Sequence, residues 1–89
     1  MGTPLTTIRD YKKEDFDTIV ENGIYCAYTG YGNSPAEGSS VRVILVVLNA
    51  RDNIIAQIVL RFDTNTYFIR TRHPSLGWSE WKQIATTDV

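Results

Sequence analysis

In Val41-Arg42-Val43-Ile44-Leu45-Val46-Val47-Leu48-Asn49, Ala50-Arg51-Asp52-Asn53 and Ile54-Ile55-Ala56-Gln57-Ile58-Val59-Leu60-Arg61-Phe62, two apolar runs flank a short polar segment. The first run alternates Val41, Val43, Leu45 and Val47 with Arg42, Ile44, Val46 and Leu48, so only one end of one face carries charge. A run of this kind reads as the central strand of a sheet, covered on both sides. The polar segment offers turn chemistry. In the second run Ile54, Ala56, Ile58, Leu60 and Phe62 are read as the inward set, with Gln57, Arg61 and Asp63 outward.

Outward from this hairpin the same punctuation repeats. Asp63-Thr64-Asn65-Thr66 makes a second turn, and Tyr67, Ile69 and Thr71 then oppose Phe68, Arg70 and Arg72 along a further strand. Pro74-Ser75-Leu76-Gly77 turns the chain again into a last strand over about residues 78–85. There Trp78 and Trp81 stand three apart, a spacing that puts them on one face only if a bulge intervenes. On the other side, Ile24, Cys26 and Tyr28 alternate with Tyr25 and Ala27 in a strand whose faces both read as covered. Cys26 reads there as a small buried hydrophobe. Residues 31–40 contain Gly, Pro, Asn and Ser, the composition of a loop that is mobile or a contact surface. Phe16, Ile19 and Val20 recur at helical spacing behind a crowd of acids, predicting a short helix over 14–20 that ends at Asn22-Gly23. The fold expected is mainly β, bordering on α+β: a small antiparallel sheet or meander of four to five strands with one short N-terminal helix. Residues 1–12 are read as a linker, 13–86 as a single domain and 87–89 as a tail.

Composition agrees and excludes much. Thr, Val and Ile supply 26 of the 89 residues, which favours strands. By area scaling, roughly 5,300 Å² stays exposed from an unfolded chain of about 14,600 Å², enough for a thin core. Nine basic residues against ten acidic ones give a net charge of -1, without the excess that phosphate backbones or anionic lipids select. One cysteine cannot close an internal disulfide, and one histidine with it cannot complete a zinc set. The longest unbroken apolar run, over residues 43–48, is far shorter than the roughly 20 residues of a membrane-spanning helix, and no signal peptide is recognisable. A soluble protein without membrane insertion is expected.

The residues that could carry chemistry read blandly. His73 precedes a proline in a turn, and no Gly-x-Ser-x-Gly elbow stands near any serine. Gly30-Tyr31-Gly32 lacks the downstream Gly-Lys-Ser/Thr of a phosphate loop. Arg61, Arg70 and Arg72 read as solvated arginines pairing with Asp63 or Glu80 across strands. No catalytic, metal or cofactor-binding residue is therefore assigned. The residues offered as a surface-contact set are Tyr31 and Asn33 in the loop, Arg70 and Arg72 on the sheet, and Trp78 beside the Gly77 turn. Trp81 is expected to be buried and structural.

One ordered set of short pieces goes further. Gly23-Ile24-Tyr25, Asn33-Ser34-Pro35, the Val-rich strand, Gln57-Ile58, Tyr67-x-x-Arg70 with Arg72, and a closing Trp78-Ser79-x-Trp81-Lys82 follow one another over about residues 16–85. Together they resemble the knob module of pyocin and phage tail fibres. That resemblance implies a non-catalytic virion component, made in the bacterial cytoplasm and built into a homotrimeric tail fibre with other fibre subunits. It implies contact with a bacterial surface glycan or protein, but fixes no receptor-binding positions. The alternatives are a stand-alone carbohydrate-binding β module and, behind it, a single-stranded nucleic-acid binder, although the charge balance speaks against any nucleic-acid partner.

Overall fold

The computed structural model describes residues 8–10, 15–35 and 40–88. Among the described residues, seven strands form one sheet: β1 Ile8–Asp10, β2 Gly23–Tyr28, β3 Arg42–Arg51, β4 Ile54–Arg61, β5 Thr66–His73, β6 Gly77–Trp78 and β7 Lys82–Gln83. Strands β1 to β6 lie in chain order, and β7 shares the outer edge of β5 with β6. From β2 onward every pairing is antiparallel, as the repeated turn signals require. The protein is mainly β. The added parallel edge strand, β1, falls within the stretch read as linker.

Turn residues set the hairpins. Asp52 and Asn53 both take positive φ (39° and 68°), the pair of left-handed conformations that a two-residue loop needs to match strand twist. A register shift between Asn49 and Arg51 adds a bulge just before it. Asn65 (φ 52°) closes the β4–β5 connection, and Gly77 (φ 76°) opens β6 in a conformation where a side chain is strained. The β2–β3 connection is longer and is tied by Thr29, whose N–H donates to the Val41 carbonyl and whose Oγ1 accepts from the Val41 N–H, each at 3.0 Å. Of the predicted loop 31–40, residues 36–39 lie outside the described residues.

The predicted helix is a single 3₁₀ turn, Phe16–Thr18. Asp15 caps it, accepting from the Asp17 N–H at 2.9 Å, while Ile19 already leaves helical geometry (φ -93°, ψ 86°). Two causes stop the helix. Thr18, Ile19 and Val20 form a β-branched run that lowers helix propensity. In addition, the Phe16 and Ile19 carbonyls accept from the Gln57 side chain.

The turn lays Phe16 and Ile19 on one face of the sheet, where they meet Tyr25, Ala27, Val43, Leu45, Val47, Ile55 and Val59 in the buried core. This corrects the inward face of β4: Ile55, Gln57 and Val59 are buried, whereas Ile54 and Phe62 are 48% and 55% exposed. Both faces of β4 are apolar, so alternation alone does not identify the covered one. The other face of the sheet carries two consecutive cross-strand rows, Ile24–Val46–Ile58–Ile69 and Cys26–Ile44–Leu60–Tyr67. All eight residues are half-buried, and no described element lies across them. Cys26, read as a small buried hydrophobe, is among them and half-buried.

The closing strand is also corrected. It breaks into β6 and β7 around Ser79 to Trp81, with the Ser79 N–H still donating to the Thr71 carbonyl (2.8 Å) and the Ile84 N–H to that of Tyr67 (2.8 Å). This interruption is the irregularity that the tryptophan spacing demanded.

Candidate functional site

Opposite registers place Gln57 of β4 directly beside Arg70 of β5, on the covered face. Arg70 is 5% exposed and Gln57 is 0% exposed. The two form one network. Arg70 Nε donates to Gln57 Oε1 at 2.8 Å, and Gln57 Nε2 donates to the Phe16 and Ile19 carbonyls at 2.7 and 2.9 Å. A buried amide is thus saturated on both ends, the condition under which burying it is tolerable.

Above this pair the two tryptophans take up the guanidinium. Arg70 Cζ lies 3.9 Å from the Trp78 ring centroid and 4.6 Å from that of Trp81, well within cation–π range. Arg72 approaches Trp78 at 5.7 Å. The Trp81 ring meets the edge of Phe16 (centroids 6.0 Å apart, 78° between planes), and its Nε1 donates to the Asn33 carbonyl at 2.8 Å. Ser79, in the break between β6 and β7, accepts from the Thr71 N–H at 3.0 Å and so anchors the segment that carries both rings.

The charge of Arg70 is answered by Asp17 from the 3₁₀ turn. Nη2 stands 2.9 Å from Asp17 Oδ1 as an ion pair. Burial pushes the Arg70 guanidinium below its ordinary pKa, with Asp17 and then Asp15 pulling it back. An arginine nonetheless stays protonated in such surroundings. The buried cation therefore has a carboxylate, an amide and two ring faces as partners.

These residues open onto a shallow groove of about 630 Å³ lined by Asp17, Asn33, Arg70, Trp78, Glu80 and Trp81 among others. Its rim offers carboxylate and amide groups. The Trp78 indole N–H is buried with no hydrogen-bond partner among the described residues. Among the described residues no three His, Cys, Asp or Glu side chains gather to hold a metal ion. His73 sits exposed at the end of β5, its Nδ1 accepting from the Ser75 N–H at 3.1 Å.

Of the surface-contact set, Asn33, Arg70 and Trp78 meet at this groove. Arg70 does not belong on a contact surface, because its side chain is enclosed by the rings and Gln57. Asn33 is exposed and its Nδ2 donates to Asp15 Oδ1 at 2.9 Å. Tyr31 is half-buried, packed edge-on against Phe16 and Tyr28 (centroids 6.0 and 5.7 Å away). Arg72 and both tryptophans are half-buried too, so Trp81 is not more enclosed than Trp78 as a class, although it alone has its N–H satisfied. Arg61 does pair with Asp63, at 2.7 and 3.0 Å. Sequence reasoning set Gln57 on the outward face and gave Asp17 no part in the site; the available signal was a lone amide between Ile55 and Val59 in a strand otherwise apolar at alternate positions.

Among the described residues no helix is long and apolar enough to cross a membrane. No family model matches the chain, and no curated protein or solved structure matches it.

Proposed function

We propose that this chain is a non-catalytic module of a phage, prophage or pyocin tail fibre, assembled with other fibre subunits as a homotrimer and contacting the bacterial surface. One observation supports the reading. The short pieces that carry the resemblance are scattered over the sequence, yet they interlock: Gln57 with Arg70, Arg70 with Trp78 and Trp81, Trp81 with Asn33, and Ser79 with β5. Motif residues that serve one joint structural task mark a fold signature, and here the task is fixing the 3₁₀ turn and the β6–β7 segment on one face of the sheet. None of them stands as an activated nucleophile or a paired acid and base. A stand-alone carbohydrate module needs a free aromatic face, whereas here Trp78 and Trp81 are both engaged by Arg70.

The groove rim, with Asp17, Asn33 and Glu80, is the surface through which receptor contact is proposed. Antibody raised against the chain and applied to phage-like particles induced from the encoding strain should label their fibres in immunogold micrographs. Particles that carry fibres but no label would refute the assignment. In parallel, the fluorescently tagged protein should bind whole cells of a susceptible strain, and binding to isolated glycans with no particle labelling would favour the carbohydrate module.

A further inference from the structure

We infer that Arg72 and Trp78 together form a seat for a carboxylate carried by a ligand from outside this chain. The reasoning does not depend on the fibre reading, since it uses only donors that the chain leaves without acceptors. Arg72 of β5 stands opposite Trp78 of β6, two residues from Arg70 and so on the same covered face. Its guanidinium lies 5.7 Å from the Trp78 ring centroid, while Arg70 holds that ring at 3.9 Å. The two arginines differ in what answers them. Arg70 has Gln57 and the Asp17 carboxylate, whereas Arg72, half-buried, pairs with no carboxylate, Glu80 included. Its Nε is buried without a hydrogen-bond partner, and so is the neighbouring Trp78 Nε1. Both atoms are obligate donors. Buried donors left unmet are uncommon, and two on facing residues point to an acceptor that the chain itself does not supply.

The donor set selects the ligand. One edge of a guanidinium offers Nε–H and an Nη–H in parallel, a fork that matches the two oxygens of a carboxylate. The indole N–H supplies a third donor, which either oxygen can still accept. One unanswered positive charge suits a monoanion, and a phosphate dianion brings a second charge that no described side chain at this point meets. Of the Arg72 guanidinium only Nε is closed off, so the outer Nη atoms receive the ligand first. The head group then turns to present Nε, a movement that breaks no hydrogen bond or ion pair, because it makes none. Trp78 also lines the groove, so the seat borders it and a larger ligand can extend along the rim. Acidic side chains and acidic sugars both carry the required group.

Proton–nitrogen correlation spectra of the whole chain test this, since the indole and arginine Nε–H groups of the seat give their own signals. Sodium acetate, galacturonate and N-acetyl-glutamic acid α-amide are titrated against sodium chloride at equal ionic strength. The Trp78 and Arg72 signals should move together and saturably with the carboxylates, while the Trp81 indole, already donating to the Asn33 carbonyl, stays in place. A stronger response to galacturonate supports the seat with a sugar as its source, and a stronger response to the blocked glutamate supports it with a protein. Arg72→Lys keeps the charge without Nε, and Trp78→Phe keeps an aromatic ring without the N–H; each should weaken binding about tenfold, read on the donor that remains. If one variant fails to fold, the other and the wild-type titrations still decide. No saturable shift up to about 100 mM carboxylate, an equal shift with chloride, or undiminished binding by the folded variants would overturn the inference. It would equally fall if Glu80→Gln alone, with no ligand added, shifted both donor signals, because Glu80 would then fill the seat from within the chain.

Discussion

Arg70→Ala is expected to be among the most damaging single substitutions in this protein. It removes a charged hydrogen bond to Gln57 Oε1, two cation–π contacts and the counter-charge of Asp17, and leaves Gln57 Oε1 buried without a donor. A hydrogen bond to a charged group contributes about 1.5–3 kcal/mol, and each desolvated cation–π contact about 1–2 kcal/mol. The Asp17 pair adds little, since that carboxylate is 39% exposed and screened. Relief from burying the guanidinium offsets part of the sum. The net expectation is a loss of about 3–5 kcal/mol, in line with breaking other buried charged pairs. Against a total stability of about 5–15 kcal/mol this brings the protein close to unfolding at 37 °C. Urea titration followed by tryptophan emission measures the loss. A cycle with Gln57→Ala isolates the coupling, which should reach about 1.5–3 kcal/mol. A cost below about 1 kcal/mol for Arg70→Ala, or additive behaviour of the two, would refute the view that these side chains act as one network.

Other outcomes follow from the same contacts. Trp81→Ala should cost about 3 kcal/mol or more and Trp78→Ala less, because only Trp81 also packs on Phe16 and donates to Asn33; equilibrium denaturation of both variants checks the order. Asp63 should titrate below the usual carboxylate range, chiefly through its hydrogen bonds from Arg61, and Arg61→Ala should return it upward in an NMR titration. Because the folded pKa is depressed, the stability from this pair is present above the unfolded value of about 3.9 and is lost as pH falls through the folded one. Asn53→Gly should be neutral or stabilising by a few tenths of a kcal/mol, and Asn53→Val destabilising by about 1–2 kcal/mol, since the site demands φ of 68°. Thermal melts of the pair decide that point.

Much of the meander is legible in the sequence because hairpins are local. The period-two runs and the Asp52-Asn53 and Thr64-Asn65 turns place β2 to β5 to within a residue or two of their observed bounds. What the sequence hides depends on distant partners. The helix expected near Phe16 is cut to one turn by Gln57, 41 residues away, and the covered face of β4 is settled by where Arg70 and the tryptophans meet. Hydrophobic alternation gave the wrong side there because Ile54, Ala56 and Ile58 are as apolar as Ile55 and Val59. The site was half visible: Arg70 and Trp78 were singled out, but as neighbours of solvent instead of each other. Only the demand for a break between Trp78 and Trp81 pointed to their shared face.

A sheet with two greasy sides poses an addressing problem to its own folding chain. Phe16 and Ile19 could be buried against either side at comparable hydrophobic gain, and a one-residue slip of β5 on β4 would turn that strand's own side chains to the opposite side. The Gln57–Arg70 pair breaks that degeneracy, since the carbonyls of the 3₁₀ turn find donors on one side only. Its main yield is therefore uniqueness more than stability. Replacing both by leucine should leave a compact, heat-resistant sheet whose N-terminal turn no longer knows which side to occupy, seen as broadened amide resonances in place of a single sharp set.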